Sequence, residues 1–252
     1  MVVNLETKKI PAGRIAEDKV LRFSVGERIS HWVHAISFFV LLFTGLGVLS
    51  VFFQPAMSII GGVQVAMVIH RVSAIVFVVV VGMMFFIGNP RYHWRWLKFV
   101  FNFTKSDWQH VSAFPKEFFG GHGNYPAPDK FNGGEKINSL ITILGTVFIT
   151  LSGVVMWFAS SFPPALVRWA YPVHDLSMIL MTAAVIGHMY LGLLHPDSRA
   201  AMSGMINGYV STKFARAHHG DWLERLEQEQ KAYDDSEIIN HRLDNRGKGS
   251  SF

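Results

Sequence analysis

Cysteine is absent from all 252 residues. That excludes disulfides, thiolate zinc sites, thiol nucleophiles, cysteine-held iron–sulfur clusters and the C-x-x-C-H attachment of a c-type haem. Any redox centre in this chain must be held by other ligands. Charge is scarce as well: Asp, Glu, Lys and Arg make up 16% of the residues while half are apolar, too oily a balance for an ordinary soluble domain. The shortage is concentrated in runs. No Asp, Glu, Lys or Arg occurs from Ile29 to His70, Val72 to Pro90, Ile137 to Val167 or Leu176 to Pro196, and each run can hold at least one membrane span. The net charge of +5 needs no nucleic-acid partner to explain it.

The first run breaks at Phe52-Phe53-Gln54-Pro55 and at Gly61-Gly62, so it divides into two hairpinned helices. The expected fold is therefore an all-α membrane protein, a four-transmembrane-helix bundle over residues 28–195. Its spans fall at about 28–51, 63–87, 137–160 and 171–194, each near the ~20 residues that cross a ~30 Å hydrocarbon core. Six Lys and Arg lie up to Arg28, seven between the second and third spans and eight after the fourth; Arg71 and Arg168 complete the set. With an even number of spans these rich segments share one side, and the positive-inside rule makes it the cytoplasm. The N-terminal segment 1–27, the loop 88–136 and the tail 196–252 are thus expected there, with both termini cytoplasmic. The first 28 residues show no apolar stretch ending at a small-residue cleavage site, so no cleaved signal is expected. The loop predicts a short interfacial helix around Arg95 to Phe103. The tail alternates charge through Trp222, Leu223, Leu226 and Tyr233, as a surface or partner-facing helix would. No internal repeat is evident.

Of twelve histidines, His93, His110, His122, His218, His219 and His241 fall in the extramembrane segments, where solvated surface positions are expected. His31, His34, His70, His174, His188 and His195 fall in or at the ends of spans, where an unpaired imidazole is costly. His174 and His188 are 14 residues apart, close to four helical turns and about 21 Å of rise, so they share one face at opposite depths. His70 lies at the depth of His174, and His31 at that of His188. Two stacked bis-histidine b-type haems require this pattern: neutral imidazoles from facing helices on either side of each iron, in an apolar site. Capping or interhelical hydrogen bonding is the alternative reading, and it gives no reason for the depth matching. His34, one turn from His31, is the alternative ligand there, whereas His195, beside Pro196, suits an interfacial role. Most glycines within the spans are explained by plain helix packing. Arg71 and Asp175, beside His70 and His174, are placed to pair with each other, to hold a haem propionate in the case of Arg71, or to meet a partner subunit.

The chain resembles the cytochrome b (gamma) subunit of membrane-bound formate dehydrogenases. The resemblance is carried by Arg28-Ile29-Ser30-His31-Trp32, by His70, by Lys130-Phe131-Asn132-Gly133-Gly134-Glu135-Lys136, by Ile186-Gly187-His188-Met189-Tyr190, and by a tail of Gly204-Met205-Ile206-Asn207-Gly208, Ala217-His218-His219 and Trp222. It spans Arg22 to about Glu229, and the segment before Leu21 has no counterpart. The resemblance implies a complex in the bacterial inner membrane with an iron–sulfur subunit and a molybdenum or tungsten catalytic subunit, trimers of which could associate further. His70 and His174 would ligate an outer haem b that takes electrons from the iron–sulfur subunit, and His31 and His188 an inner one. Asn132, Gly134 and His188 would line the pocket of the acceptor, menaquinone or ubiquinone, at the cytoplasmic side, as in anaerobic respiration. Formate chemistry would belong to another polypeptide. The cytochrome b subunit of a hydrogenase or of another molybdoenzyme is the nearest alternative, and a haem-free transporter or anchor using a histidine proton relay is a remoter one.

Overall fold

The computed structural model describes residues 15–16, 18–86, 90–121 and 123–248. Strands β1 (Ile15–Ala16) and β2 (Lys19–Leu21) precede helix α1 (Val25–Leu49), and a short α2 (Gln54–Met57) leads into α3 (Val63–Phe86). Helices α4 (Pro90–Phe101) and α5 (Lys105–Phe118) follow, then α6 (Gly133–Trp157) and α7 (Pro164–Met189). The chain closes with α8 (Met202–Ile206), β3 (Tyr209–Ser211), α9 (Thr212–His218) and α10 (Gly220–Lys248). Four described helices are long and apolar enough to cross a membrane: Val25–Leu49, Val63–Val80, Gly133–Trp157 and Pro164–Leu194. The last prolongs α7 by a π-helical turn, Tyr190–Leu194.

These helices pack as two hairpins, α1 against α3 and α6 against α7. The first hairpin turns where Gly61 and Gly62 both adopt positive φ, 98° and 92°, a conformation in which a side chain would be strained. Ile36, Phe43, Val68, Leu151 and Ile186 are exposed on the outer faces, as helices solvated by hydrocarbon require. Between the hairpins, Phe38, Phe77 and Met181 form a buried cluster with Leu41, Leu42, Ile149 and Val185.

All the remaining elements except α2 gather at the end carrying most of the Lys and Arg, called here the basic end. Ser24 with Glu27, Thr104 with Asp107 and Asn132 with Glu135 form reciprocal capping boxes that start α1, α5 and α6. The loop thus holds two helices rather than one; Thr104-x-x-Asp107 was the signal for the second. Asp107 also forms a buried ion pair with Lys136 at 2.7 Å. The Lys136 ammonium sits 4.0 Å from the Phe99 ring centroid and donates to the Asn102 carbonyl at 3.2 Å, so α4, α5 and α6 are fixed together at one point. Burial raises the Asp107 pKa, but Lys136 and the Thr104 donors outweigh it and hold the carboxyl below its ordinary value.

A small sheet, in the order β1-β2-β3 and antiparallel throughout, joins the N-terminal segment to the tail. No alternating pattern announces it, since strands of two or three residues are too short to show one. Val20 and Val210 pack on it with Phe214, Trp222, Leu223 and Leu226. The apolar stripe at the start of α10 is therefore core of this chain, where a surface or partner-facing helix was expected.

Candidate functional site

Two histidine pairs meet between the hairpins. The His70 ring on α3 and the His174 ring on α7 have centroids 6.4 Å apart, while His31 on α1 and His188 on α7 are 6.2 Å apart. Two imidazoles bound to one metal at ~2 Å each place their centroids on the order of 6 Å apart. Both pairs thus have the separation that a shared iron needs, about 21 Å apart along α7. His34 goes elsewhere: its ring stacks on Phe77 at 4.0 Å, and no contact with His188 is among the described ring pairs.

The pair at the far end opens on a cavity of about 660 Å³ lined by His70, His174, Gly45, Gly153, Arg71 and Asp175 among others, a volume in the range that encloses a cofactor. Gly45 and Gly153 let the imidazoles lie flush against the helices; a Cβ on either would stand 3.2 Å from Cε1 of His70 or 3.3 Å from Cε1 of His174. Beside each glycine is a hydroxyl, Thr44 at 2.9 Å from Nδ1 of His70 and Ser152 at 3.1 Å from Nδ1 of His174. The two hairpins therefore repeat one device, a hydroxyl–glycine pair on the first helix facing a histidine on the second. No repeat is evident in the sequence because the match is only Thr-Gly against Ser-Gly, followed by His at unequal spacing. The Arg71 guanidinium lies over Trp157 at 5.2 Å, and no ion pair to Asp175 is among the described salt bridges.

At the basic end, α8 and the turn after it close over the start of α1. Arg28 donates to the Ile206 carbonyl at 2.6 Å and Trp32 Nε1 to the Met205 carbonyl at 3.1 Å. The Gly208 carbonyl accepts from Arg22 and Phe23 N–H. The tail motif Gly204 to Gly208 thus belongs to the surroundings of His31.

Asn132 and Gly134 stand at the start of α6. The Asn132 Oδ1 accepts from Glu135 N–H at 2.9 Å as the helix cap. Gly134 N–H donates to Nδ1 of His110 at 3.2 Å. Gly133 is needed for packing, since a Cβ there would collide with the Asp107 carbonyl. Glu135 accepts from Arg22 at 2.9 Å.

Several histidines expected at the surface are buried. His110 is 5% exposed and His219 2%. His110 answers the otherwise unpaired N-terminal amide of α6, and its Nε2 lies 3.5 Å from Glu117. Burial lowers its pKa against the opposing pull of Glu117, Glu135 and Asp107. His219 bonds the Asp129 carbonyl through Nδ1 at 3.0 Å, and burial, with Arg22 and His218 assisting, holds it at about 4. His218 is half-buried and stacks on Phe214 at 4.5 Å. His195, 6% exposed, is likewise buried at the end of the last span; it bonds the Glu117 carbonyl at the end of α5 at 3.0 Å, next to the Tyr190 hydroxyl bond to Phe118. The side chains of His93, His122 and His241 lie outside the described residues.

A family model described as prokaryotic cytochrome b561 matches residues 22–208. The chain is 28% identical over 222 residues to the formate dehydrogenase cytochrome b556(fdo) subunit of Escherichia coli K12, covering 85% of this chain and 98% of that one. It is 26% identical over 233 residues to the formate dehydrogenase cytochrome b556 subunit of Haemophilus influenzae, covering 84% and 88%. It is 25% identical over 226 residues to the nitrate-inducible formate dehydrogenase cytochrome b556(Fdn) subunit of E. coli K12, covering 87% and 97%.

Proposed function

The chain belongs to the prokaryotic cytochrome b561 family, and from that premise we propose that it is the membrane subunit of a formate dehydrogenase complex, conducting electrons through two b haems to a quinone. The observation that carries this reading is the pair of histidine couples, 6.4 and 6.2 Å between rings, at two depths along α7. Each haem, when bound, supplies a buried centre that accepts and releases one electron. His70 and His174 would hold one iron, His31 and His188 the other. The apolar walls exclude water, and the glycines beside His70 and His174 leave room for a flat macrocycle.

The names of the relatives support formate as the electron source, through iron–sulfur and molybdenum or tungsten subunits docked at the far end. The concentration of Lys and Arg supports a cytoplasmic basic end in a bacterial inner membrane, so residues 28–195 form the dihaem domain between cytoplasmic flanks. Quinone would bind near Asn132, Gly134 and His188. The Asn132 Oδ1 is engaged as a cap, which leaves its amide N–H2 as the donor to a quinone carbonyl. Gly134 N–H is engaged by His110, so a carbonyl taking that amide must displace the imidazole. Protons for the quinol would then come from the cytoplasmic side.

A pyridine haemochrome assay on the purified complex tests the reading. Two non-covalent b haems per copy of this chain, all extracted by acid–acetone, are expected; one haem, or a residue that resists extraction, contradicts it.

A further inference from the structure

We propose that Thr44 and Ser152 are positioning residues for the far-end haem: their hydroxyls fix the tautomer and ring plane of His70 and His174 so that both Nε2 lone pairs face one iron. This rests on the haem-ligating reading of that pair and names the groups that prepare the ligands.

The direction of each hydrogen bond follows from its neighbours. Thr44 Oγ1 lies 2.7 Å from the Val40 carbonyl, which can only accept. The single hydroxyl proton goes there, and only lone pairs remain toward Nδ1 of His70. Ser152 repeats this, with its Oγ 2.6 Å from the Phe148 carbonyl. Each imidazole therefore donates an Nδ1 proton, and a neutral imidazole with its proton on Nδ1 carries its free lone pair on Nε2. Both hydroxyls are buried, Thr44 at 1% and Ser152 at 5% exposure, so water does not compete for them.

A hydroxyl bonded back to the carbonyl four residues earlier is ordinary in an apolar helix. That habit explains the bonds to Val40 and Phe148. It does not explain why an imidazole lies on each hydroxyl, nor why a glycine follows each so closely that a Cβ would press on the ring. The basic-end pair has a different setting, since His31 Nδ1 is buried and has no hydrogen-bond partner among the described residues. The device thus belongs to one iron.

The test uses the solubilised complex with Thr44→Val, Thr44→Ser and Ser152→Ala. It follows haem loss to excess apomyoglobin, together with the low-spin electron paramagnetic resonance of each haem. Removing a partner that orients a metal-bound histidine costs about 10–100-fold in affinity. Thr44→Val and Ser152→Ala are expected to speed loss of the same single haem by about that factor and to shift its resonance, with the other haem unchanged. Thr44→Ser is expected to restore both properties. Unchanged loss and spectra in Thr44→Val overturn the proposal, and so does equal loss of both haems, which would show the hydroxyl serving the fold instead of one ligand. If His70→Ala keeps both haems, the ligand reading itself has failed, a result separate from these.

Discussion

Four histidines gain meaning only in pairs, and the pairs can be taken apart one residue at a time. His70→Ala and His174→Ala are each expected to remove the same far-end haem and leave the other spectroscopically intact, because in the proposed arrangement the two imidazoles, 6.4 Å apart, would share one iron. Optical spectra of the two purified variants check this; loss of different haems would break the pairing. A second residue-scale expectation concerns pH. The folded pKa of His219 is about 4, below its ordinary 6.5, so the folded chain favours neutral imidazole and the unfolded chain binds the proton more readily between those values. The contribution is complete above pH 6.5 and is lost as pH falls toward 4, to the extent of ~3 kcal/mol at most. Amide exchange around Leu223 and Leu226, corrected for intrinsic rates, should lose protection over that interval, and His219→Gln should flatten the slope. His219 sits in Ala-His-His-Gly, which looks solvated in the sequence; its burial follows from the Asp129 carbonyl, 90 residues away.

Among the elements, the start of α6 carries an observed cap and the proposed quinone contact, whose effects are separable. As a cap, Asn132 stabilises the helix by ~1 kcal/mol. As a quinone contact, it would act on turnover. Asn132→Ala is expected to leave both haems loaded and reducible by the donor while quinone reduction slows by tenfold or more; a cap alone would lower stability and leave turnover per folded complex unchanged. Stopped-flow reoxidation of prereduced haems by quinone, with thermal unfolding of the same sample, distinguishes the two. The helix begins at Gly133, four residues before the charge-free run at Ile137, because Asp107 neutralises Lys136 and Arg22 pairs with Glu135. The hydropathy pattern could not show this, since each neutralising partner comes from a distant segment.

For the molecule as a whole, two hairpins face each other across the two histidine pairs and the far-end cavity, so a bound cofactor would bridge halves that otherwise share few contacts. A ligand that binds only the folded state stabilises it in proportion to its occupancy. Haem-depleted protein is expected to unfold at least several degrees below the loaded form, with readdition of haem restoring the difference; differential scanning fluorimetry of its tryptophans measures this. Equal Tm values would mean that the hairpins hold together without the cofactor.

The sequence by itself determined the solvent, the spans and the ligand candidates. Runs without charge and the absence of cysteine are local properties, and a 14-residue spacing on one helix sets two depths without reference to any partner. Depth along the spans already paired His70 with His174 and His31 with His188, but only the tertiary structure decided that His31 and not His34 meets His188 and that Thr44 and Ser152 lie on His70 and His174. It also decided that His110, His195 and His219 are buried. Helical periodicity reports the face on which a residue lies. What occupies the space opposite that face is set by another segment, 22 residues away for Ser152 and His174 and 78 for Glu117 and His195, and no local pattern encodes it.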